Sequence, residues 1–530
     1  MDDNILYLNI RQASSFASKY LRKNVTIANI SYLINYGKIA KFTSNGSTLV
    51  SKKELIDYYN SINFKRENDW KKKLGNDINW HLSFDNLKEK DTTKHVHRLH
   101  PYKGKFIPQL VEYFLDEHTD EFKSEIYFHK GDIVLDPFCG SGTTLVEANE
   151  LGINAIGIDV SSFNTLLSNC KIIQYNMNSL KDDILYITNK LKEFVLKSRI
   201  KLFDDELTTQ LIKFNDKYFP SVTFKRMVYE KKIDGNSYGK EKAKEFLPIY
   251  YRLVDKYQIQ LQQSCECTDS FLGKWYLSNV RNEINFVFDL IKDLKDVNNK
   301  KILSVVLSRT MRSCRATTHS DLATLKEPIM TTYYCSKHGK ICKPLFSILK
   351  WWETYSNDTI KRLIEFDSLR TDTFQCCING DSRIVDIIGE LNKSNKEFSS
   401  FFETKKINGI FSSPPYLGLI NYHEQHAYAY ELFGLKRKDE FEIGPLYKGK
   451  GLEAQDSYID AISDVLKNCK TYLTDNYNVF LVANDKYNLY PEIAKKSNMK
   501  IVNTYKRPVL NRTERDKGVY SETIFHLKDI

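Results

Sequence analysis

The chain has 530 residues, 42% hydrophobic and 27% charged, too apolar for a disordered protein and longer than one hydrophobic core usually spans. Mean hydropathy is −0.46 and no run of about 18 apolar residues occurs, which excludes a membrane span. The acidic start, Met1-Asp2-Asp3-Asn4, and ten cysteines without framework spacing predict a cytoplasmic protein with reduced thiols. Net charge is +11 and unevenly spread: residues 171–370 hold 35 Lys/Arg against 24 Asp/Glu, and residues 1–90 hold 15 against 9. Those two blocks are the ones expected to meet a polyanion.

Residues 1–62 read as a compact unit. Apolar spacing at Ile27, Ile30, Leu33 and Ile34 predicts a short helix facing a core, ended by Gly37, and a turn at Gly46 before Leu49-Val50 predicts a small wing. Within 11–55 eight Lys/Arg, Lys38 and Lys41 among them, stand against one acid, Glu54. A polar, charged stretch, residues 63–94, reads as a linker. From His95 the pattern turns α/β. Ile133-Val134-Leu135 is a buried strand ending at Asp136, Gly140-Ser141-Gly142-Thr143-Thr144 a turn, and Leu145–Asn149 the start of a helix. Ala155–Ile158 is a second strand, ending at Asp159. This is the first half of a doubly wound nucleotide-binding sheet, covering residues 95–170. Residues 171–370 read as one basic, mainly helical insertion, and strand–turn patterns resume at Cys377–Asp381, Gly409–Ser413 and Val479–Ala483, within 371–530.

Two motifs carry chemistry. In Asp136-Pro137-Phe138-Cys139-Gly140-Ser141-Gly142-Thr143-Thr144 the glycines admit a ligand close to the backbone, and the helix that follows offers free N–H groups. It is neither the dinucleotide Gly-x-Gly-x-x-Gly nor a Walker loop, and alone it also suits a tight turn in any α/β domain. Asp159, 19 residues after Gly140, sits where a carboxylate holds a ribose diol. Ser413-Pro414-Pro415-Tyr416 follows an apolar strand: the prolines fix the chain and expose carbonyls, Ser413 offers a second acceptor for an amino group, and Tyr416 offers a face for a base. Alone, it is also a common turn sequence.

Together the two motifs resemble those of the S-adenosylmethionine-dependent DNA amino-methyltransferases, which modify N4 of cytosine or N6 of adenine. The resemblance extends to His100-Pro101-Tyr102-Lys103-Gly104-Lys105-Phe106-Ile107-Pro108, similar to the family's upstream cofactor motif, and to Asp381 in Asn379-Gly380-Asp381-Ser382, similar to its adenine-contacting acid. It implies a Rossmann-like sheet and S-adenosylmethionine held by Lys103, Phe106, Pro108, Asp136, Phe138, Gly140, Gly142, Thr143, Asp159 and Asp381. It implies catalysis by Ser413, Pro414, Pro415 and Tyr416 on a base flipped from double-stranded DNA, with 171–370 as the target-recognition domain. A C5-cytosine enzyme of the related kind carries a Pro-Cys nucleophile, and none of the 12 prolines precedes a cysteine. Ser413, where adenine enzymes more often place Asp or Asn, favours N4-cytosine. A tRNA guanine-N2 enzyme shares both motifs, and an inactive DNA-binding regulator would have no use for an intact Ser413-Pro414-Pro415-Tyr416.

Residues 11–59 resemble an excisionase-like or MerR-like winged helix-turn-helix, with 26–36 as the recognition helix; a small helical domain for dimer contacts is the alternative. Arg309, Arg312 and Arg315, spaced i, i+3, i+6, would face DNA phosphates along one helix side. Cys335, His338 and Cys342 form C-x2-H-x3-C, a weak zinc candidate that Cys314 or His319 would complete, whereas Cys265/Cys267 and Cys376/Cys377 are poorly spaced. The protein is therefore expected to be a DNA methyltransferase of a restriction-modification system, with a cognate endonuclease as a further partner, since no nuclease acid–acid–lysine motif stands out.

Overall fold

The computed structural model describes residues 6–21, 25–44, 47–62, 66–85, 87–259, 270–319, 321–322, 324–510 and 519–530. Its strands are β1 (Tyr7–Asn9), β2 (Phe42–Ser44), β3 (Ser47–Ser51), β4 (Ile133–Asp136), β5 (Asn154–Asp159) and β6 (Tyr333–Cys335). They continue with β7 (Lys340–Cys342), β8 (Gln375–Asn379), β9 (Ile407–Ser412), β10 (Leu473–Ala483), β11 (Met499–Pro508) and β12 (Ser521–Asp529). The chain forms two compact units, one from Met1–Lys73, Leu191–Glu283 and Ser313–Ile348, the other from Leu74–Lys190, Ile284–Arg312 and Leu349–Ile530.

The first unit opens with helices Ile10–Tyr20 and Ile27–Asn35, each started by a capping box, Asn9 with Gln12 and Thr26 with Asn29. Both helices turn an apolar stripe inward: Ala13 and Ala17 leave room for Ile30, Leu33 and Ile34, and Val50 and Leu55 close the core. Strands β1, β3 and β2 pair antiparallel in that order, and helix Lys52–Ile62 follows directly on β3. The expected turn at Gly46 lies outside the described residues. The rest of this unit is built on helices Arg199–Tyr218, Ser221–Tyr229 and Gly235–Tyr257 and the β6–β7 hairpin.

The second unit holds a seven-stranded sheet in the order β11-β12-β10-β9-β4-β5-β8. Strand β12 runs antiparallel to both its neighbours, while β10, β9, β4, β5 and β8 are mutually parallel. Strands β4 and β9 bury nearly every residue, the composition a parallel strand needs when both faces are covered. Helices Thr143–Glu150 and Ser162–Ile172 follow β4 and β5. The strand order reverses between β4 and β9, where a crevice opens beyond the carboxyl ends of the strands.

Two expected boundaries differ. Residues 63–94 are not a free linker: Arg66–Leu74 is helical, Ile78 bridges to Lys506, and Ile78 and Leu82 are buried. Nor is 171–370 one block, because 171–190, 284–312 and 349–370 belong to the sheet unit. Helix Val297–Ser313 buries Ile302, Val305 and Val306, and Trp352 Nε1 donates to Thr188 Oγ1 at 2.9 Å, so these helices share that unit's core. Among the described residues no helix is long and apolar enough to cross a membrane.

Candidate active site

At the crevice, Asp136 ends β4 and Ser412 ends β9. The Asp136 carboxylate accepts from Ser412 Oγ at 2.5 Å, Thr144 Oγ1 at 2.6 Å and the Phe138 N–H at 3.2 Å. It clips the two strands to the helix between β4 and β5, and its burial pushes its pKa up to about 6. The turn that follows uses positive φ at Gly140 and Gly142, +52° and +73°. Side chains would also be crowded there: a Cβ on Gly140 would sit 3.1 Å from Tyr102 Oη, and one on Gly142 3.0 Å from Ser168 Cβ.

Asp159, at the end of β5, accepts from the Gly140 N–H and the Ser161 N–H, both at 2.8 Å, and from Asn164 Nδ2 at 3.1 Å. Burial outweighs these donors and lifts its pKa to about 6. Beside it opens a pocket lined by the glycine turn, the end of β5 and the Ser413 segment. Phe106, Phe138 and Ile443 give it apolar walls, Gly140 and Thr143 bring backbone close, and Asp159 and Asp381 supply carboxylates. Ser413 and Pro415 form the side toward β9. An apolar slot with two separated carboxylates suits a nucleoside, the ring lying between side chains and the diol meeting an acid.

Eight residues singled out from sequence thus share one cavity: Phe106, Phe138, Gly140, Thr143, Asp159, Asp381, Ser413 and Pro415. Asp136, Gly142, Pro108, Lys103 and Pro414 do not line it. Asp136 and Gly142 shape the turn, Pro108 starts the buried helix Pro108–Leu115, Lys103 is exposed, and Pro414 is buried. The Asp381 carboxylate already receives Arg383, Nη2 to Oδ2 at 2.6 Å. Tyr416 lines a second pocket with Asn484, Asp485, Tyr487 and Tyr520, and its hydroxyl donates to Glu522 Oε1 at 2.8 Å. The Ser413–Tyr416 segment therefore contributes to both cavities.

Other lining residues carried no functional assignment in the sequence. Tyr102 receives a hydrogen bond from Asn164 Nδ2 at 3.2 Å, and Lys105 donates to the His97 carbonyl at 2.8 Å, its pKa lowered by burial to about 8. Glu442 accepts the His423 N–H at 2.7 Å and the Tyr422 N–H at 3.2 Å, and also bonds His423 Nδ1, which fixes the segment that places Tyr422 in the wall. Behind the glycine turn, buried Glu147 pairs with His97 Nε2 at 2.7 Å and Lys94 at 3.0 Å, tying the 95–98 turn to helix Thr143–Glu150. Burial and the neighbouring Glu150 raise Glu147 to about 8.

The arginine row differs from its expectation. Arg309 is buried, bonded to Asp358 at 2.7 Å and lying over the Tyr355 ring at 4.1 Å. Arg315 lies past the helix end and is buried, donating to the Leu322 carbonyl at 2.6 Å. Only Arg312, half-buried in the last turn, keeps partial exposure, so the three do not present one cationic face. Lys38 extends over the Tyr229 ring, 5.0 Å from its centroid, and Lys41 is exposed.

A mostly parallel sheet with a glycine turn, an acid one strand on and a pocket at the reversal point defines a Rossmann-like domain of the nucleotide-binding kind, the fold that methyltransferases share. Comparison with known proteins narrows this. The family model described as DNA methylase matches residues 14–167, and one described as RMKL-like, methyltransferase domain, matches residues 127–227. Type II methyltransferase M.MjaII of Methanocaldococcus jannaschii is 48% identical over 528 residues, 98% of this chain and 96% of its own length. Type II methyltransferase M.BsoBI of Geobacillus stearothermophilus is 26% identical over 39% of this chain and 42% of its own. The chain belongs to the type II DNA amino-methyltransferases, and its methyl donor is S-adenosylmethionine.

Proposed function

We propose that the chain methylates N4 of cytosine in double-stranded DNA, as the modification partner of a cognate restriction endonuclease. The observation that carries this reading is the place of Ser413 and Pro415 in the same cavity wall as Phe138, Asp159 and Asp381. In this reading Asp159 would hold the ribose diol and Asp381 the adenine side, and Phe106 and Phe138 would give the ring apolar wall. When bound, S-adenosylmethionine supplies an electrophilic methyl group on a sulfonium. The chain's task is to prepare the amine. An exocyclic amino group is nearly planar, its lone pair delocalised into the base. Hydrogen bonds to Ser413 Oγ and the Pro414 carbonyl would favour a pyramidal nitrogen whose lone pair takes the methyl group as its bond to sulfur breaks, the electron pair staying on sulfur. The methylated nitrogen would then release its extra proton to water. Tyr416 would stack the flipped base in the second pocket, where Asn484 and Asp485 offer polar groups to its edge.

In the same proposal the N-terminal fold acts as a winged helix-turn-helix. Two capped helices followed by the β2–β3 hairpin support that role, and helix Ile27–Asn35 would enter the major groove with Asn29, Tyr32 and Asn35 exposed. That helix carries no Lys or Arg, so phosphate contacts fall to flanking residues such as Lys41. The helical part of 171–370 would read the target. A shorter match, 35% identical over 85 residues to a probable tRNA (guanine(10)-N2)-dimethyltransferase of Methanothermococcus thermolithotrophicus, favours a second reading as an RNA enzyme. It spans 15% of this chain, however, against 98% for the type II relative. Labelled methyl transfer to DNA and to tRNA separates the two, and mass spectrometry of digested DNA fixes the base. N4-methylcytosine is expected, and an N6-methyladenosine product would overturn the cytosine assignment.

A further inference from the structure

We propose that His319, Cys335, His338 and Cys342 form a structural zinc site in the unit that carries the N-terminal fold. The four ligand atoms lie within 4.8 Å of one another, although the residues are spread over 24 positions of the chain. Both cysteines are buried, and His338 Nδ1 lies 3.4 Å from Cys342 Sγ. Tyr333 Oη sits 2.8 Å from His319 Nδ1, which orients that ring and leaves Nε2 as its ligand atom. A second group fixing the other ring nitrogen is the usual support of a metal-bound histidine. Two thiolates and two imidazoles in a tight cluster match tetrahedral Zn²⁺, and their two negative charges balance the ion. His319 replaces Cys314 as the fourth group, because it is His319 that the fold brings to the cluster.

The site answers a stability need. Strands β6 and β7 have three residues each, and a hairpin that short is marginal without a further tie. Around it the fold is already shaped to receive the hairpin. Asn215 clamps Ile341 through both its backbone groups at 2.9 Å, and Gly239 leaves space for the Tyr334 ring to lie on helix Gly235–Tyr257. The hairpin turn at Gly339 faces Lys225 and Phe224 of helix Ser221–Tyr229. That helix in turn meets the N-terminal fold: Lys225 lies 4.3 Å from the Tyr36 ring centroid, and Arg226 bonds Glu54 at 2.8 Å. Zinc therefore braces, through the hairpin, the helix on which the N-terminal fold rests.

The test uses the full chain, purified without a polyhistidine tag. Metal analysis should find one zinc per chain, released on thiol modification, and none in Cys335→Ser/Cys342→Ser. His338→Cys, which preserves a tetrahedral set, should retain the ion and guards against a variant that merely misfolds. Cobalt substitution should give the ligand-field and thiolate charge-transfer bands of a tetrahedral site. Removing the metal should speed amide exchange about tenfold or more in β6, β7 and helix Ser221–Tyr229 while leaving β4 and β9 unchanged. A wild-type chain that takes up neither zinc nor cobalt would overturn the site, and unchanged exchange in helix Ser221–Tyr229 would overturn the brace.

Discussion

Asp159→Asn is the sharpest probe of the pocket, because it should weaken binding far more than it changes stability. In the cofactor-free chain burial lifts the Asp159 carboxyl to about 6, above the value of about 4 for an exposed aspartate. The folded state therefore holds a proton that the unfolded state releases. The stability this confers is present below about pH 4 and is lost as pH rises through about 6, roughly 3 kcal/mol in all. Asparagine carries no charge to bury but turns its NH2 toward the Gly140 or Ser161 N–H, so the two effects offset and the variant without cofactor should melt close to wild type at neutral pH. Binding has no such offset. A ribose diol donates to the ionised carboxylate, and hydrogen bonds to a charged group contribute about 1.5–3 kcal/mol each. Losing two weakens S-adenosylmethionine binding by about 100-fold or more. Wild-type affinity should also fall about tenfold per pH unit below about 6, while the variant stays nearly flat. Titration calorimetry across that range, paired with melting curves, measures both effects. Affinity in the variant within about threefold of wild type, or a flat wild-type profile, would refute the assignment of Asp159 to the ribose.

Ser413→Ala should lower kcat by about 100-fold with the dissociation constant for S-adenosylmethionine unchanged, as expected for an acceptor needed at the transition state. Single-turnover kinetics and calorimetry check it, and an equal loss of cofactor affinity would place Ser413 in binding instead. Gly157→Ala puts a Cβ into the Cys139 sulfur and 3.0 Å from Leu145 Cδ1, so the strand and the glycine turn must part. A loss of about 1–3 kcal/mol is expected, with weaker cofactor binding, and an unchanged melting temperature would sink the packing argument. Arg309→Ala removes a buried partner of Asp358 and the contact over Tyr355, at about 2–4 kcal/mol by melting. The salt dependence of DNA binding should stay the same, and a slope reduced by about one would return Arg309 to the phosphates.

The parallel strands and the glycine turn were readable because their signals are local. Ile133–Leu135 and Ile156–Ile158 are uninterrupted apolar runs closed by an acid, and Gly140 and Gly142 stand where positive φ is needed. Tyr102, Asn164, Tyr422 and Glu442 were not assigned, since each reaches the wall from a turn or helix start whose sequence has no period and whose partner is distant in the chain. The arginine row failed for a related reason. Spacing of three places charges on one helical stripe but says nothing of Asp358, 49 residues on, which takes Arg309 inside. Net charge likewise marked 171–370 as a single block, whereas apolar faces decide which core each helix joins. Polar composition misled over 63–94, where the buried Ile78 and Leu82 stand among charged neighbours and show no period.

The pairing of β4 with β9 carries a consequence for how the protein is made. Val134 lies opposite Gly409, and the Asp136 carboxylate meets Ser412 Oγ across 276 positions of sequence. Such long-range pairing raises contact order and slows folding. On the ribosome, the glycine turn and Asp159 emerge early, yet the wall formed by Ser413 and Pro415 arrives only after the intervening helices have been synthesised. A nascent chain shorter than about 412 residues thus holds half a pocket with an apolar strand edge exposed, a state open to chaperones and to aggregation. Completion of the pocket is then a late event in biogenesis, since a chain that stops before the end of β9 lacks the Ser413 and Pro415 wall.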